Sequence, residues 1–252
     1  MSVIWKNKYA SLSEPKALFT VLIAAAGSGQ RLGGVYKPLL PLDGMPMIAY
    51  SLRAFEQNGF VRQIVVSAPP ERAEEIRAVA ADSGCTKLKD VVPGGETRAQ
   101  SVIAAFRAAF SRKEDVTPFL AVHDAARPLI EENMLNDVFF ACVRHGAAVA
   151  ATKVRDALKR TGHDNTVAEE VNREGLWQIQ TPQAFDTDIF HTALATTSPE
   201  EAARAVDDAA LVLGSGFRVV CVETGFANFK VTYPEDVPMA QALLRARKES
   251  RS

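Results

Sequence analysis

A run of small residues closes on two cations: Ala25-Ala26-Gly27-Ser28-Gly29-Gln30-Arg31-Leu32-Gly33 is followed shortly by Lys37-Pro38. Small residues directly after a strand let backbone N–H groups close around phosphate oxygens, because no side chain holds the ligand away. Arg31 and Lys37 then stand where they could neutralise a phosphate chain. A Walker loop requires Gly-Lys-Ser/Thr at its end, whereas Lys37 comes later and precedes Pro38. A dinucleotide loop requires GxGxxG and a carboxylate after the second strand, whereas Gly33 falls one position late and Ile64-Val65-Val66-Ser67 ends without one. What remains is a strand-end loop that could embrace a phosphate chain, beside the plain alternative of a glycine turn at a strand end.

Two more clusters carry chemistry. Pro93-Gly94-Gly95-Glu96-Thr97-Arg98-Ala99-Gln100-Ser101-Val102 joins a strand to a helix; its glycines expose backbone groups near the helix start, and Ser101 adds a hydroxyl that can meet a base edge. An ordinary capped turn would read the same way. His123-Asp124-Ala125-Ala126-Arg127-Pro128 follows another strand, where ligands of open α/β sheets collect. A carboxylate such as Asp124 can hold Mg²⁺, which takes a carboxylate together with substrate phosphates. Without a ligand, Asp124 would cap a turn and Arg127 would form an ion pair. His123 reads as a packed strand residue.

The elements that must position these residues are short apolar runs alternating with helix-period stretches. Phe19 to Ala24, Ile64 to Ala68, Leu88 to Val92, Phe119 to His123, Ala147 to Thr152 and Phe217 to Val222 read as strands. Helices are expected to begin near Met47, Glu71, Ala99, Glu131, Asp188, Glu200 and Glu235. Continuous apolar strands separated by helices imply an α/β fold, a three-layer sandwich with a mostly parallel, Rossmann-like sheet. One region breaks the rhythm: between Lys153 and Gln180, β-compatible pieces at Ala157 to Thr161 and Val167 to Asn172 flank Gly162-His163-Asp164-Asn165. This predicts a β-hairpin arm projecting from the sheet, against the alternative of a solvated loop. An isolated hairpin is marginal without something to pack on, so an arm points to a dimer.

The chain of 252 residues is 47% hydrophobic, enough for one substantial core, and is read as a single domain over 17–248 with a tail at 1–16. A formal net charge of -1 leaves no basic face for a nucleic acid. Cys85, Cys142 and Cys221 show no paired spacing and read as reduced thiols. No apolar segment is long enough to span a membrane, and Met1 to Lys16 does not read as a signal peptide, so a cytoplasmic location is expected.

Taken in order, Gly27 to Lys37, Gly94 to Val102, His123 to Pro128, Val154-Arg155-Asp156-Ala157-Leu158-Lys159, Asn172-Arg173-Glu174-Gly175-Leu176-Trp177, Gln180-Thr181-Pro182-Gln183-Ala184-Phe185 and Asn228-Phe229-Lys230-Val231-Thr232 resemble the methylerythritol-phosphate cytidylyltransferase family from about Leu18 to Leu244. The ribitol-5-phosphate cytidylyltransferases share the glycine loop and the Thr-Pro-Gln motif. His-Asp-Ala-Ala-Arg-Pro and the Gly-Leu-Trp before Thr-Pro-Gln favour the methylerythritol branch. Ala157 stands where the family commonly has threonine, and Ala227 where some members carry an acidic residue, leaving Asp124 as the metal ligand to name.

The resemblance implies attack by a phosphate oxygen of the acceptor on the α-phosphorus of CTP, with pyrophosphate leaving and Mg²⁺ as cofactor. Arg31 and Lys37 would be catalytic. CTP would meet Ala25, Ala26, Gly27, Gly29, Gly95, Glu96, Arg98 and Ser101. The sugar-alcohol phosphate would meet Asp124, Arg127, Arg173, Thr181 and Lys230, with Arg173 arriving on the arm of the other subunit of a homodimer. A catalytically silent nucleotide-binding protein is the alternative of a different class; the presence of Arg31 and Lys37 speaks against it.

Overall fold

The computed structural model describes residues 18–27 and 34–250. Its frame is a seven-stranded sheet in the order β11-β7-β10-β6-β1-β4-β5. The strands are β1 (Phe19–Ala24), β4 (Val61–Ala68), β5 (Leu88–Pro93), β6 (Phe119–Asp124), β7 (Ala147–Lys153), β10 (Trp177–Asp186) and β11 (Val220–Glu223). Pairing is parallel throughout except along β10, which runs antiparallel to both β6 and β7.

The continuous apolar character of the strands follows from burial on both faces. In β1, Phe19, Val21 and Ile23 point into one core with α1 (Met47–Gln57), α2 (Ala73–Asp82) and α4 (Glu132–His145). The alternate residue Leu22 enters the other core, against α3 (Arg98–Ala109), α5 (Thr187–Thr196) and α7 (Asp208–Gly214). Side chains alternate across a strand, so a strand covered twice must be apolar at successive positions. The expected three layers are therefore present.

A third, smaller cluster joins Leu42, Met47, Leu129 and Val231 to Ala240 and Leu244 of α8 (Asp236–Glu249). It fastens a small hairpin, β2 (Pro41–Leu42) and β3 (Met45–Pro46), to the segment before α8. Asp43 in that hairpin pairs with Arg245 at 3.0 Å and with Lys248. This packing brings Lys37 and Lys230, far apart in sequence, to the same side of the sheet.

Several sequence expectations shift. The last strand lies at Val220–Glu223 rather than Phe217 to Val222, and β4 begins at Val61, ahead of Ile64. Strand β10 and helix α7 were not foreseen, and α6 (Pro199–Arg204) begins a residue early. The arm is present: β8 (Leu158–Thr161) and β9 (Val167–Val171) pair antiparallel between the end of β7 and the start of β10. Its residues are almost all exposed, so within this chain the arm has no core of its own. Cys85 and Cys142 are buried free thiols, and Cys221 is an exposed one. Among the described residues, no helix is long and apolar enough to cross a membrane.

Candidate active site

The chain runs β1, β4, β5 to one side and then returns to place β6 on the other side of β1. This is the switch point at which an open sheet leaves a crevice beyond its strand ends. A cleft of about 540 Å³ opens there, with one wall formed by Ala24, Ala25, Ala26 and Gly27 after β1. Gly95, Glu96, Thr97, Arg98 and Ser101 form a second wall, and Asp124, Lys37 and Lys230 line the remainder.

The two walls meet because of a glycine. A Cβ added at Gly94 would collide with the Ala26 Cβ and come within 3.0 Å of Ser101 Oγ, so only glycine lets the turn after β5 approach β1. The turn is then locked onto α3. The Thr97 hydroxyl accepts from the Gln100 N–H at 3.2 Å, and Gln100 Oε1 accepts from the Thr97 N–H at 3.1 Å, a reciprocal cap. Ser101 Oγ accepts from the Gly95 N–H at 3.0 Å and donates to the Thr97 carbonyl at 3.0 Å. The hydroxyl expected to read a base edge thus also shapes the loop that would surround the base.

Asp124, at the end of β6, concentrates the charge. Its Oδ1 accepts from Arg98 Nε at 2.9 Å and its Oδ2 from Lys230 Nζ at 2.8 Å, while Arg127 Nε stands 3.9 Å away. Burial alone would raise this carboxyl. Arg98, Lys230 and Arg127 outweigh burial and hold it well below the usual carboxylate range. It stays ionised at any ordinary assay pH. Arg98 also reaches Asp208 Oδ2 at 2.8 Å. Burial raises the Asp208 carboxyl, and Arg98 pulls it back only in part.

Behind Asp124 lies a fully assigned hydrogen-bond chain. The Asp124 N–H donates to Thr181 Oγ1 at 3.1 Å, and that hydroxyl lies 3.0 Å from His123 Nδ1. His123 Nε2 lies 3.2 Å from the Arg127 carbonyl, an acceptor, so Nε2 carries the proton and Nδ1 accepts from Thr181. The ring is therefore neutral, and burial lowers its pKa to about 4 despite the attraction of Asp124. Arg127 and Arg98 add to the lowering.

A depressed histidine favours the unfolded state as pH falls, because the unfolded chain takes up the proton first. Stability from this group is full above about pH 6.5 and declines toward pH 4, by about 3 kcal/mol in total. Urea midpoints measured without nucleotide or metal should follow that slope. His123→Gln, which can still accept from Thr181, should show a dependence shallower by about one proton; an unchanged slope would remove His123 as the buried titrating group.

The expected site residues divide into groups. Ala25, Ala26, Gly27, Lys37, Gly95, Glu96, Arg98, Ser101, Asp124 and Lys230 line one cleft. Thr181 is 3% exposed and bound into the chain behind Asp124. Arg127 is likewise set back, with Nη1 donating to the Asn228 carbonyl at 2.8 Å. Arg173 lies after β9 on the exposed return of the arm and donates to the Arg155 carbonyl of its own chain. Gly29 and Arg31 lie outside the described residues. Lys37 opens a 3₁₀ turn, and its Nζ contacts the carbonyls of Val231 at 3.3 Å and Thr232 at 3.1 Å.

Sequence reasoning gave no role to Asp208, nor to Asn228, although Asn228 opens one of the quoted motifs. Asn228 Nδ2 donates to the Thr181 carbonyl at 2.8 Å, joining the Lys230 segment to β10. An Asp207-Asp208 pair ahead of a short apolar run was the available signal for a helix start. Among the described residues, no group of three or more metal-binding side chains forms a cage. The donor set instead suits a hard divalent cation that takes one carboxylate, Asp124, plus oxygens of a bound phosphate chain.

A doubly covered, mostly parallel sheet with a glycine-walled switch-point cleft, ringed by lysine and arginine, defines a nucleotidyltransferase. A family model described as IspD, 2-C-methyl-D-erythritol 4-phosphate cytidylyltransferase, matches residues 19–246. The chain belongs to that family. The Pelotomaculum thermopropionicum member is 37% identical over 90% of this chain and 94% of its own length. The Symbiobacterium thermophilum member is 38% identical over 89% and 92% respectively. The crystal structure of the Thermus thermophilus enzyme of the same name superposes with a TM-score of 0.72 at 31% identity, covering 90% of this chain and 98% of that one.

Proposed function

We propose that the protein transfers CMP from CTP to 2-C-methyl-D-erythritol 4-phosphate, releasing pyrophosphate and forming 4-diphosphocytidyl-2-C-methyl-D-erythritol for isoprenoid precursor synthesis. The observation that carries this reading is one cleft with small-residue walls in which Arg98 and Lys230 meet on Asp124 and which Lys37 also lines. The attacking phosphate oxygen is already an anion, so the reaction needs no general base. Its difficulty is charge: an anion must approach the α-phosphorus while a second anion departs. Fixed cations aimed at the phosphorus centre lower that barrier more than they stabilise the ground state.

In this reading Lys37 and Arg31 contact the triphosphate, and Arg98 adds a third cation from the start of α3. The backbone at Ala25, Ala26, Gly95 and Glu96, with Ser101, encloses a single-ring base, and Gly27 and Gly29 leave room for phosphate oxygens. Lys230 meets the acceptor phosphate, with Arg127 and Thr181 supporting that side from behind Asp124. Asp124 would hold Mg²⁺, which supplies neutralisation of phosphate charge when bound. To meet it, the carboxylate must share its oxygens between that ion and the present partners Arg98 and Lys230.

The reading includes a homodimer formed through the arm. Its strands are exposed, and Val167, Leu176 and Ile179 near it, with Phe226, present apolar surface at 60%, 37%, 37% and 43% exposure. Packing on a two-fold mate would cover that surface and carry Arg173 into the mate's cleft. A cytoplasmic location belongs to the same reading. Pyrophosphate release from CTP, with methylerythritol phosphate and ribitol phosphate supplied in turn, tests the assignment.

A further inference from the structure

Arg98 is shared between two carboxylates supplied by different elements. Its Nε donates to Asp124 Oδ1 at 2.9 Å inside the cleft, and its Nη1 lies 2.8 Å from Asp208 Oδ2 behind it. Asp208 is 1% exposed and does not line the cleft. Arg98 pulls the Asp208 carboxyl down against the effect of burial, so the contact compensates the buried charge. A carboxylate this buried is costly unless paired, and Arg98 supplies the pairing.

What places Asp208 is the side-chain amide of Gln183, itself 1% exposed on β10. Gln183 Oε1 accepts from the Ala209 N–H at 2.9 Å, and Nε2 donates to Asp207 Oδ2 at 3.1 Å. The amide therefore grips the chain on both sides of Asp208. Asp207 in turn caps α7, its Oδ1 accepting from the Ala210 N–H at 2.9 Å. The Gln-Thr-Pro-Gln segment, polar within a buried strand, thereby has a use that substrate contact does not account for.

We propose that Gln183 and Asp208 form a positioning pair that holds the Arg98 guanidinium at the wall of the nucleotide cleft. Paired with Asp124 alone, Arg98 would keep a single anchor, a carboxylate that would also be called on by a divalent cation arriving with the phosphates. The second carboxylate keeps the guanidinium in place through binding and turnover. The inference rests on the assignment of Arg98 to the triphosphate. A purely structural Asp208, serving only the first turn of α7, would affect stability without any dependence on Arg98.

The test is a double-mutant cycle on Asp208→Asn and Arg98→Ala in the full-length protein, read by pyrophosphate binding and by the KM and kcat for CTP. Asp208→Asn should weaken pyrophosphate binding and raise the CTP KM on the order of tenfold, by letting Arg98 drift. In the Arg98→Ala background the same change should add less than about twofold. Gln183→Leu should produce a smaller loss that also vanishes without Arg98. Thermal melts give a second reading: Asp208 left unpaired in Arg98→Ala should lower stability, and Asp208→Asn should restore part of it. Losses that simply add, or an Asp208→Asn variant altered only in its melt, would overturn the proposal and leave the cytidylyltransferase reading intact. Coupling in pyrophosphate binding without CTP turnover by the wild type would do the reverse.

Discussion

Lys37→Ala should lower kcat by about 10² to 10³ while leaving the fold in place. The side chain is 9% exposed, yet its amine lies at the cleft edge on the carbonyls of Val231 and Thr232. In the proposed mechanism, removing it withdraws a fixed positive charge from the position where phosphorus gathers negative charge. The change also takes a donor from the carbonyls of buried Val231 and of Thr232, so a stability cost of about 1–3 kcal/mol should accompany the loss of turnover. Steady-state kinetics beside a thermal melt separate the two effects. A well-folded variant with turnover within about threefold of wild type would remove Lys37 from the mechanism.

Arg173→Ala should be nearly as inactive as Lys37→Ala, although its side chain is no part of the cleft wall of its own chain. If the arm delivers Arg173 to the partner's cleft, a mixed dimer of the two variants holds one site with both defects and one with neither. Random exchange makes about half the dimers mixed, so activity should recover to roughly a quarter of wild type. Refolding or co-expressing the two variants together, then assaying pyrophosphate release, reads that recovery. Activity no greater than the sum of the separate variants, with exchange verified, would put Arg173 in its own subunit's site or outside any site.

The parts of the molecule legible in the sequence are those governed by local pattern. Burial on both faces makes β1, β4, β6 and β7 largely apolar runs, and the glycine turn after β5 announces close backbone approach. Strand β10 was illegible for a physical reason. Gln180, Thr181 and Gln183 are buried in it, and each is satisfied by a partner far along the chain: Gln180 by Thr224, Thr181 by His123, Gln183 by α7. Such pairing removes the cost of burying polar groups but leaves the strand looking like a polar loop. Helix α7, with seven residues, is too short to show a period.

The same division runs through the site. Lys37, Asp124 and Lys230 sit in recognisable motifs, and the structure brings all of them to one cleft. Arg127 and Thr181 sit in motifs as well, but their side chains turn behind Asp124 toward Asn228 and His123. Spacing along β6 and β10 does not reveal that rotation. Asp208 joins Arg98 only because α3 and α7 cover the same face of the sheet, a tertiary fact with no local signature.

The central claim is the joining of CTP to methylerythritol phosphate, and it is tested most directly by pyrophosphate release from purified protein with Mg²⁺. CTP with 2-C-methyl-D-erythritol 4-phosphate should support turnover. Ribitol 5-phosphate should be a poor acceptor, and ATP and GTP poor donors, if Gly95, Glu96 and Ser101 of the cleft wall enclose a single-ring base as proposed; UTP should be excluded by its altered hydrogen-bonding edge. Preference for ribitol phosphate, or comparable release from ATP, would contradict the account.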